Sequence, residues 1–112
     1  MARSDILRRH IPTPRKWDVW FADVSYENTP GHKGRPVVVL GCFGNNVRVL
    51  EITSHAVRGF TDLEVMDRFS AGLERASTVK CASSKVVDCR RFTSKLGVLG
   101  RIDIGNLSRR GF

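Results

Sequence analysis

The chain is short of the features that a secreted, disulfide-framed or membrane-spanning protein needs. Its cysteines are Cys42, Cys81 and Cys89. The count is odd and no pair has C-x-x-C spacing, which fits reduced thiols in a cytosolic protein better than a disulfide frame or a zinc site. No window approaches the ~20 apolar residues of a membrane span. The opening segment MARSDILRRHIPTPRK has no apolar stretch long enough for a signal peptide. These absences point to the cytoplasm and away from a membrane. A P-loop, a G-x-S-x-G elbow, a paired His-x-His and any metal-ligand cluster are also missing. Any chemistry must therefore come from lone residues that the fold brings together, with no cofactor signalled. Internal repeats and low-complexity tracts are absent as well.

Acidic side chains are scarce. Eleven Asp and Glu stand against nineteen Lys and Arg, giving a net charge of +8 and a pI near 10.3. A field of that sign attracts polyanions, and nucleic acid is the commonest one a small protein meets. Apolar and charged fractions of 41% and 27% are those of a globular chain, not a disordered one. The 112 residues make one domain of marginal stability, which burial of a face in an oligomer would help.

Residues 1–16 are basic, carry Pro12 and Pro14, and read as a poorly ordered arm with a possible short helix over Asp5–His10. Residues 17–112 would form the domain proper. Residues 17–24 (WDVWFADV) are rich in aromatic and β-branched types and predict a strand. Residues 25–34 (SYENTPGHKG) carry turn chemistry and predict a loop. The continuous apolar run 36–42 (PVVVLGC) predicts a strand buried on both faces, with Pro36 at its first position. Gly44-Asn45-Asn46 signals a hairpin turn, followed by a strand over 47–54. Residues 62–66 predict a short strand. Phe60, Leu63, Met66 and Phe69 recur every three residues, so a helix remains an alternative there. After a charged loop over 67–75, two further strands are predicted near 77–81 and 85–92. The tail predicts a short strand and one helical turn near Ile104–Arg109. The fold class is all-β: a small barrel of five to six strands with at most short helical segments.

Two segments carry candidate chemistry. In KGRPVVVLG (33–41), Arg35 stands at the mouth of an apolar strand after a glycine-containing loop, next to Lys33. A guanidinium keeps its charge at every working pH, and on a rigid strand it can clamp a phosphate bidentately. A surface Arg at a strand end is the commoner fate of such a residue. In EITSH (51–55), Thr53 and Ser54 supply hydroxyls and His55 an imidazole, at the end of a second strand. A threonine hydroxyl can donate to a phosphate oxygen, and a histidine can move protons near neutral pH. The plainer reading is a strand end whose hydroxyls bond nearby backbone. His32 lies three residues before Arg35 and could reach the same phosphate, or could be a solvated loop histidine. Among Trp17, Trp20 and Phe21 at least one ring should be core, and another could stack on a base.

Together these segments resemble the MazF/PemK family of toxin endoribonucleases over roughly residues 17–105. WDVWFADVSYENTPGHKGRPVVVLG is similar to the family's opening strand, loop and R-P-V-V-V strand, and ITSH to its T-S at the end of the third strand. AGLERASTVKC (71–81) is similar to its G-L-x-x-x-S-x-V stretch, and KLGVLGRIDI (95–104) to the closing K-x-G-x-L. The Y-E-x-x-P spelling of Tyr26, Glu27 and Pro30 resembles a PemK-type subgroup. The resemblance implies an SH3-like barrel, usually a homodimer, that cleaves single-stranded RNA without metal, and an antitoxin that covers its groove. It makes Arg35 and Thr53 the catalytic pair, accompanied by Ser54. Glu27 or His32 would be the base that takes the 2′-proton. Lys33, His55 and Lys80 would help hold the substrate. The chain departs from the family in four places. Pro30 stands where the prototype has an acidic residue shortly before its Arg, and Glu27 lies further back. Lys80 stands where some members have a groove Arg, and Ala82 where they have Asp. The chain also stops at Phe112, where many members continue into a longer helix. A non-catalytic module binding nucleic acid or a peptide through the same groove is the rival reading. A gyrase-binding inhibitor, as found in a related toxin group, is a third.

Overall fold

A computed structural model describes residues 13–25 and 30–112. One antiparallel sheet dominates it, built from β1 (Asp18–Ser25), β2 (His32–Phe43), β3 (Asn46–Thr53), β4 (Asp62–Glu64), β5 (Thr78–Asp88) and β6 (Phe92–Val98). The strands are ordered β4-β5-β3-β2-β1-β6. A single 3₁₀ turn, Cys89–Arg91, links β5 to β6, and one helix, α1 (Arg101–Ser108), follows the sheet. The all-β expectation holds. The described helix is not long and apolar enough to cross a membrane.

The apolar run in β2 lies at the centre of the sheet and is buried on both sides, as its lack of alternation predicts. Val38 joins Val19, Leu50, Ile52 and Leu107 in one core cluster. Val37 and Val39 join Ala22, Val47, Val49 and Phe92 in another. Shifts of register between Val39 and Gly41 in β2, and between Leu50 and Ile52 in β3, bend the strands. The curled sheet brings β6 against the turn that follows β4, where Val98 N donates to Ser70 O at 3.0 Å. That approach explains Gly97 of KLGVLG and Gly72 of the facing turn. A Cβ at Gly97 would overlap the Ser70 carbonyl, and one at Gly72, whose φ is +74°, would overlap the Leu96 carbonyl. Asp103 of α1, a buried carboxylate, completes the closure by accepting Met66 N at 2.7 Å and Asp67 N at 2.9 Å.

Several expected boundaries move. β2 begins at His32, so the loop after β1 is shorter than residues 25–34. Pro36 is not the first residue of its strand: it stands inside β2 opposite Phe21. Its missing N–H is tolerated because the ladder with β3 begins only at Val37. The strands expected at 77–81 and 85–92 are one strand, β5, and residues 89–91 form the 3₁₀ turn instead. The small residues Ala82, Ser83 and Ser84 look like a break, yet β5 carries them through where its pairing with β3 jumps from Val79 to Ser84. Residues 62–64 are strand, and the helical alternative there is not taken. The last helix starts earlier than expected, at Arg101. Of the expected arm, residues 1–12 and the helix over Asp5–His10 lie outside the described residues. Pro14 is buried, and Arg15 N donates to Asp18 Oδ2 at 2.9 Å, so its end is docked on the sheet.

Candidate active site

β2 and β3 run antiparallel with Val37 opposite Glu51. Continued by two residues, that register sets the start of β2 beside the end of β3, which brings Arg35 to Thr53. Both residues line one cavity of about 520 Å³, together with Lys33, Ser54 and His55. The turn after Gly72 contributes Glu74, Arg75 and Ser77. Phe21, Ile52, Leu73 and Leu96 supply its apolar walls.

Arg35 is half-buried, and it forms no hydrogen bond or ion pair among the described residues. Lys33 and the Arg75 guanidinium are likewise uncommitted there. Among the described residues the cavity thus holds three free cations against one carboxylate, Glu74, and their field favours an anion. Thr53 Oγ1 accepts the His55 backbone N–H at 3.2 Å. With that lone pair used, its own proton remains available to a ligand. Thr78 Oγ1 donates to the His55 carbonyl at 2.7 Å, which fixes the chain behind the imidazole. Arg58 Nη2 lies 3.2 Å from His55 Nδ1. A guanidinium cannot accept, so Nδ1 must, and His55 presents Nε2–H as a donor.

The structure sorts the residues expected from sequence. Arg35, Thr53, Ser54, His55 and Lys33 are brought together. His32 is not among the cavity's lining residues. It belongs to a strand rather than a flexible loop, and its ring meets Arg91 Nη1 at 2.9 Å and Ser25 Oγ at 3.3 Å. Lys80 stands in β5 opposite Asp62 and also does not line the cavity. Glu27 and Tyr26 lie outside the described residues. The aromatic question resolves by residue. Trp20 is largely packed, its ring edge-on to Phe92 at 5.9 Å and its Nε1 donating to Asp18 at 3.1 Å. Phe21 is 38% exposed and forms the cavity wall. Its ring covers Gly34 so closely that a Cβ there would come to 2.5 Å. Sequence reading gave Glu74 and Arg75 no role, although they fall within the AGLERASTVKC segment that carries the resemblance.

Among the described residues no group of three or more His, Cys, Asp or Glu side chains is placed to hold a metal ion. The three cysteines form no disulfide. Burial pushes the Cys81 thiol upward, and burial followed by the nearby Cys89 and Asp18 does the same to Cys42.

The chain matches the family model of PemK-like, MazF-like toxins of type II toxin–antitoxin systems over residues 15–110. Among solved structures it is similar to a mycobacterial endoribonuclease determined in complex with its cognate antitoxin. That likeness has a TM-score of 0.70 at 13% identity and covers 86% of this chain and 88% of the other. It is also similar to the Mycobacterium tuberculosis toxin MazF-mt6, with a TM-score of 0.64 at 25% identity over 82% of this chain and 89% of that one. No curated protein matches the chain.

Proposed function

Because this chain belongs to the PemK-like, MazF-like toxins of type II toxin–antitoxin systems, we propose that it is an endoribonuclease acting on single-stranded RNA in the cytoplasm. The observation that carries this reading is the pairing of an uncommitted Arg35 with a donor-ready Thr53 in one cationic cavity. RNA supplies its own nucleophile. The ribose 2′-oxygen attacks the adjacent phosphorus in line, the P–O5′ bond breaks, and a 2′,3′-cyclic phosphate and a 5′-hydroxyl result. The protein has to orient the strand and stabilise the charge that grows on the phosphate oxygens. Arg35 supplies that charge stabilisation and Thr53 a hydrogen bond to a non-bridging oxygen. Lys33, Ser54 and His55 Nε2–H hold neighbouring groups. Phe21 offers a ring face to an unstacked base.

Control by an antitoxin is part of the same proposal, and the complex recorded for the mycobacterial endoribonuclease supports it. A basic cavity with apolar walls fits a short acidic segment with apolar anchors, its carboxylates replacing phosphates. A homodimer is proposed as well.

The test is a pool of single-stranded RNAs incubated with purified protein in chelator beside DNA of matched sequence. RNA is expected to be cut to cyclic or 3′-phosphate ends, and DNA, which lacks the attacking hydroxyl, to survive. RNA that is bound but left intact would make the protein a non-catalytic binding module.

A further inference from the structure

The proposed reaction needs a base for the 2′-proton, and the cavity narrows the choice. Lys33, Arg35 and Arg75 are cations, Thr53, Ser54 and Ser77 are hydroxyls, and His55 has its Nδ1 lone pair committed to Arg58. Among the described lining residues Glu74 is the carboxylate, and Glu27 lies outside the described residues. Its backbone is fixed from both sides. Leu73 is buried and its N–H donates to Arg68 O at 2.9 Å, and the Arg68 guanidinium turns back onto the Glu74 carbonyl. Ser77 is buried, with its hydroxyl donating to Arg75 O at 2.9 Å. Between these anchors Glu74, Arg75 and Ala76 form a short exposed tip at the cavity. The Glu74 carboxylate has no hydrogen bond or ion pair among the described residues, so its lone pairs are available to a substrate hydroxyl.

We propose that Glu74 is the general base of this site. This rests on the reading of the cavity as an RNA-cleaving centre and assigns one of its roles. The 2′-hydroxyl gives its proton to a Glu74 Oε as the O2′–P bond forms. The P–O5′ bond breaks and the 5′-oxygen takes a proton from water, after which Glu74 returns its proton to solvent. The charged and titratable groups that share the cavity are Lys33 and Arg35 from β2, His55 after β3 and Arg75 beside Glu74. They hold the phosphate while the carboxylate accepts.

The test compares wild type with Glu74→Gln on an RNA that wild type cuts, over a range of pH. General-base removal costs about 10²–10⁴ in rate. Glu74→Gln is therefore expected to lower kcat by that factor, with KM unchanged or improved because a negative charge has left the phosphate site. The rise of log kcat with pH on the acid side is expected to vanish. Glu74→Asp should recover part of the rate and the acid limb. Circular dichroism should match wild type throughout, and RNA affinity should not fall. Wild-type cleavage with an unimpaired Glu74→Gln overturns the assignment and leaves the nuclease reading standing. A change in the bases flanking the cut with the acid limb retained also overturns it, since Glu74 would then read a base. A wild type that cuts no RNA overturns both.

Discussion

Arg35 owes its availability to the strand beneath it. Val37, Val38 and Val39 are fully buried, so β2 cannot shift to satisfy the guanidinium elsewhere. Arg35→Ala is expected to keep the fold and to lower cleavage by at least about 10²–10³, the cost of losing one donor to a developing oxyanion. Thr53→Ala should cost less, and single-turnover rates on one RNA rank the two. Both residues stood out in the sequence because each adjoins an apolar run with a polar type the run does not need: Arg35 precedes Pro36 and the valines of β2, and Thr53 ends β3. Of the two bases the sequence offered, Glu27 lies outside the described residues and His32 does not line the cavity. His32 lies close to Arg35 in sequence, but strand geometry gives its ring to Arg91 and Ser25. Glu74 follows the Gly72–Leu96 approach, a contact between distant segments that no local pattern announces.

Elements were read well where period and turn chemistry agreed, as in β1, β3 and the two-residue turn at Gly44 and Asn45. They were misread where tertiary pairing overrode local composition, as in β5. That strand carries Lys85, whose ammonium lies 2.9 Å from the Glu51 carboxylate of β3, itself 6% exposed. Lys85→Ala should cost about 3–5 kcal/mol by stranding a buried charge. Denaturant midpoints check this, and the apolar double variant Glu51→Leu/Lys85→Met should recover much of the loss. At the end of β5, Asp88 accepts the Arg90 side chain and then its backbone N–H, which holds its carboxyl down to about 2 from 3.8. A depressed acid stabilises above its unfolded value and loses that contribution as pH falls through its folded one. The 3₁₀ turn is therefore expected to keep its Arg90 amide shift down to about pH 4 and to lose it toward about pH 2. An NMR titration reads this, and Asp88→Asn should show no such step.

At the scale of the whole molecule, the excess of positive charge was plain in composition, but its focus was not. Folding gathers Lys33, Arg35 and Arg75 around one cavity. If those three cations each meet a phosphate, log affinity for single-stranded RNA should fall with log salt at a slope of about −2, at about −0.7 per contact. Phe60 and Phe69 are 89% and 80% exposed, apolar surface that a second copy could cover. Sedimentation that stays monomeric at high protein concentration would contradict the proposed homodimer. RNA cleavage by Arg35 in a phosphate-binding cavity has a signature that can be read in cells. Primer extension maps new RNA ends in cells expressing either wild type or Arg35→Ala. Discrete cuts bearing 5′-hydroxyl ends are expected with wild type and none with the variant. Intact RNA with wild type, or the same cuts with both proteins, would contradict cleavage by Arg35.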